Sequence, residues 1–225
     1  MKFEIRPSSH PAHPAFPGDR LVEVGECFVL VPEGIEPSGH LVRDGRIPIR
    51  LSRGKAFGSG LHETTASCIE ALEGLPALED SSVLDVGTGT GILSLGALLL
   101  GARTAVAFDI EWDAAWTCKR NSTLNRMDGR LTVFQGTFEA LNPSFRCDIV
   151  LANIYGDIIL KEADRLSDHT REGGYLVLSG LDYTDSRAVK SAMRKQGMEE
   201  VSVLFLEDFV TQVWHCPQSR DRKEP

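Results

Sequence analysis

Apolar residues in this chain fall into short runs, and the runs switch between a strand-like and a helix-like period in a regular order. Val83 to Val86 is an apolar strand carrying one acid, Asp85. Gly87, Gly89 and Gly91 follow at once, then the helical stretch Ile92 to Leu100, then a second β-rich run, Thr104 to Phe108, ending at Asp109. Strand, glycine turn, helix, strand and acid make the first half of a nucleotide-binding βαβ unit. Downstream, Trp112 to Arg126 reads as a helix, Leu131 to Phe134 as a third strand and Asp148 to Ala152 as a fourth. Ile158 to Arg171 is the next helix, closed by Glu172, Gly173 and Gly174, and Tyr175 to Ser179 is the fifth strand. Arg187 to Lys195 is helical in pattern. Val201 to Leu206 and Phe209 to Trp214 are two strands parted by Glu207 and Asp208, as for an antiparallel pair ending a parallel sheet. No repeat or coiled-coil period appears.

Upstream the pattern is sparser. Met1 to Asp19 is proline-rich and irregular, with an initial strand at Lys2 to Ile5. CFVLV, closing Leu21 to Val31, and IPIRL, within Leu41 to Leu51, read as strands of a small N-terminal extension, paired as a hairpin across a long loop. The stretch GKAFGSGLHETT, Gly54 to Thr65, precedes an apolar helical pattern from Ala66 to Leu75. Thr64 or Thr65 can cap that helix, whose first N–H groups then face an anion such as a ligand carboxylate. The expected division is an extension at 1–52, a main α/β domain at 53–216 and a flexible tail at 217–225.

The glycine spacing separates two cofactors. A dinucleotide fingerprint is G-x-G-x-x-G, whereas this turn is G-x-G-x-G with Asp85 two residues before it. A carboxylate there repels a pyrophosphate and attracts the ammonium of a methionine moiety. Asp109 lies 18 residues after Gly91, near the distance expected for an acid that takes a ribose diol. The set suits S-adenosyl-L-methionine better than NAD. Asn153, just past the fourth strand, stands where open α/β sheets bind ligands, and its carboxamide can accept a hydrogen bond from a substrate amine; it is equally a turn former. Thr137 and Phe138, after the third strand, are candidate neighbours of an adenine, and Phe138 is equally ordinary core. His62 taken alone reads as structural or solvent-facing. His10 and His13 lack a nearby third metal ligand, so no metal is expected.

Composition narrows the setting. The formal charge of -8 gives no electrostatic footprint for direct nucleic-acid binding and tolerates a basic protein partner. Five widely spaced cysteines without a C-x-x-C pair read as reduced thiols of a cytoplasmic protein. The longest apolar run, near Leu95 to Ala102, is too short to cross a membrane.

The blocks AFGSGLHETT, VLDVGTGTGIL, FDIE, NSTLN, LANI and GGYLVLSG together resemble the bacterial ribosomal-protein (PrmA-like) methyltransferases, which act on amino groups of a stalk-base protein of the large subunit. The resemblance covers about Pro32 to Cys216. It implies a class I S-adenosyl-L-methionine-dependent methyltransferase: an α/β, Rossmann-like, seven-stranded sheet in the order 3-2-1-4-5-7-6. It implies cofactor contacts from Asp85, Gly87 and Gly89, a ribose contact from Asp109 and a methionine-end contact from Thr65. It also implies a closing loop containing Phe57, Gly58 and His62, a contact near the adenine at Thr137, and Asn153 beside the transferring methyl group. The sequence departs from the family at Glu63, in place of a frequent proline, at Glu111, in place of a second aspartate, and at Thr137, in place of a common acid. Few residues precede the glycine loop, so the family's N-terminal docking domain is expected to be missing and methylation of the stalk-base protein inefficient. The loop NIYGD carries one acid, Asp157, which disfavours the arginine methyltransferases that share LDVG-x-GTGIL-like stretches. The leading reading is N-methylation of a protein amino group, a ribosomal protein included. The alternatives are methylation of a small molecule and a noncatalytic cofactor-binding scaffold.

Overall fold

The computed structural model describes residues 20–36, 45–53, 62–76 and 78–218. A seven-stranded sheet forms the centre: β4 (Ser82–Val86), β5 (Thr104–Asp109), β6 (Leu131–Gln135), β7 (Cys147–Asn153), β8 (Thr170–Leu181), β9 (Glu199–Phe205) and β10 (Val210–His215). Its order is β6-β5-β4-β7-β8-β10-β9, which is 3-2-1-4-5-7-6 counted from β4, as the resemblance implies. β4 pairs in parallel with β5 and β7, whereas β10 is antiparallel to both β8 and β9.

The central strands read as unbroken apolar runs because both faces are covered. Successive residues serve opposite sides: Val83, Ile149, Leu151 and Val177 enter one core, and Leu84, Val150, Ala152 and Leu178 the other. The first core is roofed by α1 (Glu63–Glu73), α2 (Ile92–Leu99) and Cys118 of α3 (Trp112–Leu124). The second is roofed by α4 (Gly156–Lys161), α5 (Ala163–His169) and α6 (Tyr183–Lys195), through Ile159, Leu166, Val189 and Met193.

Several elements differ from the pattern reading. The helix expected from Ile158 to Arg171 is two helices meeting at Glu162, a break that neither proline nor glycine marks. Gly173 and Gly174 lie inside β8 instead of ending a helix. Gly173 takes φ +79° at an irregularity of the β7–β8 register, and a Cβ on Gly174 would stand 2.8 Å from the Arg171 carbonyl oxygen. α6 starts earlier than Arg187, because the Asp182 side chain accepts the Asp185 N–H at 2.7 Å and caps it. The initial strand at residues 2–5, His10 and His13 lie outside the described residues.

The N-terminal segment corrects the expected hairpin. β2 (Phe28–Pro32) and β3 (Ile47–Leu51) pair in parallel, while β2 forms its antiparallel pair with β1 (Val22–Val24). The reason lies far along the chain, in α3 and the residue after it. The Asn125 side chain accepts the Arg50 N–H at 2.8 Å and donates to the Arg50 carbonyl at 2.7 Å. Asn121, fully buried, accepts the Ser52 N–H at 2.7 Å and donates to the Thr90 carbonyl at 2.8 Å. These two carboxamides fix the direction of β3. Phe28, Leu30, Ile49 and Leu51 then join the same core as α1 and α2.

Asn121→Ala strands two buried backbone groups, Ser52 N–H and Thr90 C=O. It should lower unfolding stability in urea by about 2–4 kcal/mol. An unchanged midpoint would contradict the clamp.

Candidate cofactor and acceptor site

The parallel strands β4 to β8 all end on one edge of the sheet, and the candidate residues gather there. The turn after β4 is bound to β5: Gly87 and Thr88 donate their N–H groups to the Phe108 carbonyl at 2.9 and 3.1 Å. Gly87, Gly89 and Gly91 all take positive φ, between 55° and 81°. A Cβ on Gly87 would collide with Ile154 Cγ2, and one on Gly91 would lie 2.6 Å from Cys118 Sγ. Only glycine meets both the dihedral and the space.

Asp85 sits beneath this turn. It is 1% exposed, and its Oδ2 accepts from the Thr88 hydroxyl at 2.7 Å and the Ser94 hydroxyl at 2.6 Å. The sequence reading put this carboxylate toward a ligand ammonium. Instead it faces inward, because the turn and the first helical turn of α2 supply its donors. Burial pushes its carboxyl above the usual carboxylate range, while the Ser94 and Thr88 hydrogen bonds oppose that shift. Asp109, 9% exposed at the end of β5, accepts the Gly89 N–H at 2.9 Å and the Glu111 N–H at 3.0 Å. A carboxylate has about four lone-pair sites, so two remain for a ligand hydroxyl pair.

Across the site, α1 begins with His62 and not with a threonine cap. The His62 side chain accepts the Thr64 N–H, and its Nδ1 lies 2.9 Å from Thr64 Oγ1. Its ring stands edge-on to Phe209 with centroids 5.1 Å apart. Glu63, the departure from the family's proline, accepts the N–H groups of Glu207 and Asp208 at 3.0 and 3.3 Å. That tie to the β9–β10 turn is absent from the sequence reading. Its only signal was an acid beside a helix start. Thr64 and Thr65 are buried within the first turn.

A chain of hydroxyls carries α1 onto the strand ends. Ser67 Oγ lies 2.6 Å from Thr211 Oγ1, which lies 2.7 Å from Ser179 Oγ, and Ser179 is the register partner of Asn153. Three buried side-chain atoms among the described residues lack a hydrogen-bond partner: Thr65 Oγ1, Ser122 Oγ and Asn153 Oδ1. Two of them belong to this corner. A buried acceptor left unpaired costs about 1–3 kcal/mol, so such atoms mark places where a further partner is missing.

The third-strand loop is resolved in favour of core for Phe138, whose buried ring packs edge-on against Phe108 and flat against His169. Thr137 is exposed and donates to Glu139, which also takes Arg165 at 2.7 Å. These two hydrogen bonds hold the Glu139 carboxyl down at about 2. Thr137 thus has an acid beside it, two residues later in the chain. Phe57 and Gly58 lie outside the described residues. Among the described residues no three metal-ligating side chains group together, and no helix is long and apolar enough to cross a membrane. All five cysteines are free thiols.

Asp85 gives the site a pH signature. Its folded pKa is raised, so above the unfolded value the folded state keeps a proton that the unfolded chain has lost. Its favourable term is full at low pH and fades as pH rises through the folded pKa. Asp85→Asn keeps an acceptor for Thr88 and Ser94 but cannot ionise. Once pH rises above the unfolded carboxylate value of about 4, the variant's urea midpoint should therefore gain on the wild type's until the folded carboxyl has ionised. Parallel pH profiles would contradict a strained buried carboxylate.

The ribosomal protein L11 methyltransferase (PrmA) family model matches residues 21–216. The Bacillus pumilus ribosomal protein L11 methyltransferase is 36% identical over 190 residues, covering 84% of this chain and 60% of that protein. The Bacillus licheniformis enzyme is 35% identical with the same coverage. The chain therefore spans about three-fifths of the length of the curated relatives it matches. The crystal structure of the Lactobacillus delbrueckii ribosomal protein L11 methylase superposes with a TM-score of 0.74 at 25% identity, covering 88% of this chain and 98% of that one. With the glycine turn, the strand order and the corner at Asn153 in place, this chain belongs to the ribosomal protein L11 methyltransferase family.

Proposed function

We propose that this chain binds S-adenosyl-L-methionine along the C-terminal edge of its sheet and directs methyl transfer to an amino group of a protein. The observation that carries this reading is the pair of orphaned buried atoms, Thr65 Oγ1 and Asn153 Oδ1, in one corner of that edge. They fit a ligand that is polar at its amino-acid end and presents a reacting group beside Asn153.

The remaining residues fit the same cofactor. Gly87 and Gly89 leave the backbone open to close approach, and Asp85 holds their turn from below. Asp109 offers its remaining lone pairs to the ribose hydroxyls. Thr137, with Glu139 beside it, flanks the adenine end. His62 fixes the first turn of α1 and with it Thr65, and Phe57 and Gly58 belong to the loop assigned to closure. The segment 53–216 carries this set, and Asn121 ties it to the extension at 1–52 through Ser52.

When bound, the cofactor supplies an already activated sulfonium methyl group, so the protein's task is positioning and water exclusion. The Asn153 carboxamide oxygen accepts an N–H from a neutral acceptor amine and aims its lone pair. The amine's proton passes to solvent. Asn153 does not ionise, so it orients without acting as a base. A cytoplasmic setting suits the free thiols. The relatives' names make ribosomal protein L11 the first acceptor to test.

The test is transfer of labelled methyl groups to purified L11, run beside a ribosome-depleted lysate. Protein labelling is expected. Asn153→Ala should cut turnover on the order of a hundredfold while cofactor affinity stays within about twofold. Label appearing only in small metabolites would replace the protein acceptor. Tight cofactor binding without any transfer would make the chain a scaffold.

A further inference from the structure

The segments that follow β7 and β8, which open α4 and α6, touch each other beside Asn153 and carry more charge than the cofactor reading uses. A Cβ on Gly156 would collide with the Asp185 carboxylate, and one on Gly180 would lie 3.4 Å from Asn153 Oδ1. Asp157 and Asp182 are exposed beside Asp185, which is half-buried. Burial raises the Asp185 carboxyl, and the neighbouring charges of Asp182 and then Asp157 raise it further. Among the described residues no lysine, arginine or histidine pairs with any of the three. Nor do they converge tightly enough, with any third ligand, to hold a metal ion. They are spread along a rim, as suits an extended cationic chain better than a point charge.

The rim is also apolar. Tyr183 and Phe205, 49% and 67% exposed, stack with ring centroids 6.3 Å apart, and the Tyr183 hydroxyl donates to the Leu206 carbonyl at 2.7 Å. Tyr155 and Ile158 stand exposed at the facing start of α4. Neighbouring exposed aromatic side chains with a polar surround have the composition of a protein contact, where aromatic residues are enriched. Asn153 is the second pointer: it is only 8% exposed, and its unpartnered Oδ1 lies beside Gly180, two residues before Asp182.

We propose that the segments following β7 and β8, at the starts of α4 and α6, form the docking rim for a lysine-rich segment of the acceptor protein. Asp157, Asp182 and Asp185 hold cationic side chains flanking the target amine, and Tyr183 and Phe205 seat an apolar neighbour. The proposal rests on the methyl-transfer reading above and names the surface that selects its substrate. Charge complementarity at an exposed rim chiefly speeds encounter and selects partners, and it weakens with salt.

The test uses the full chain and a fluorescein-labelled lysine-rich decapeptide containing one phenylalanine, with a glutamate-rich peptide as the control. Anisotropy should report binding of the first only, weakening as salt rises from about 50 to about 300 mM. D157N/D182N/D185N should lose about tenfold in affinity. Asn retains the Asp182 helix cap. E79Q/D80N/E172Q removes the same number of charges from exposed acids away from the rim and should change affinity less than twofold. Equal losses in both variants, or none in the first, overturn the rim. If the triple variant melts early, Asp157→Asn alone should still lose about twofold. Cofactor titration into the same samples keeps the readings separate. Both triple variants should bind S-adenosyl-L-methionine as the wild type does. A wild type that fails to bind it overturns the methyl-transfer reading, whatever the peptide does.

Discussion

A carboxylate buried under a glycine turn is the constraint on which the site depends. Asp85 is withdrawn from water at the end of the central strand, and desolvating a charge is costly unless donors meet it. Thr88, inside the turn, and Ser94, inside α2, are those donors. The turn cannot relax outward without releasing Thr88, nor α2 drift without releasing Ser94. Asp109 holds the turn from the other side through the Gly89 N–H. Two acids therefore clamp three left-handed glycines. A ligand meets a backbone already shaped, so little ordering remains to be done on binding.

The same logic extends to the far side of the sheet edge. The first turn of α1 is set by His62 at its cap, by Glu63 on the β9–β10 turn and by hydroxyls running through Ser67 and Thr211 to Ser179. Those contacts place two unsatisfied atoms, Thr65 Oγ1 and Asn153 Oδ1, in one corner without satisfying either. Natural cores rarely tolerate such orphans, and functional sites are where they persist. The extension is bound into the scheme by Asn121, which grips the glycine turn at Thr90 and the entrance to residues 54–61 at Ser52.

How much was legible depended on the range of the interaction. The glycine turn, the strands themselves and the acid at 109 follow from local pattern, because glycine dihedrals and unbroken apolar strands are written in adjacent residues, whereas the strand order came with the family resemblance. The direction of β3 was not legible, since Asn121 and Asn125 decide it from 69 and 75 residues away. The cap of α1 was misread because a histidine ring replaced the usual hydroxyl. The inward turn of Asp85 was hidden too. Its type and position suggested an ammonium partner, while its donors, Thr88 and Ser94, look like ordinary turn and helix residues in the sequence. Glu63 was hidden in the same way, since its partners in the β9–β10 turn lie 144 residues on, whereas Glu139 meets Thr137 from only two residues away.

The central claim is that the clamped turn and Asp109 are built for an adenosyl sulfonium cofactor. Calorimetric titration of S-adenosyl-L-methionine and of NAD into the wild type and Asp109→Ala tests it most directly. The account predicts one-to-one binding of the sulfonium cofactor by the wild type, no measurable NAD binding, and a loss of about 1.5–3 kcal/mol for the variant. NAD binding without the sulfonium cofactor, or equal affinity in wild type and variant, would contradict it.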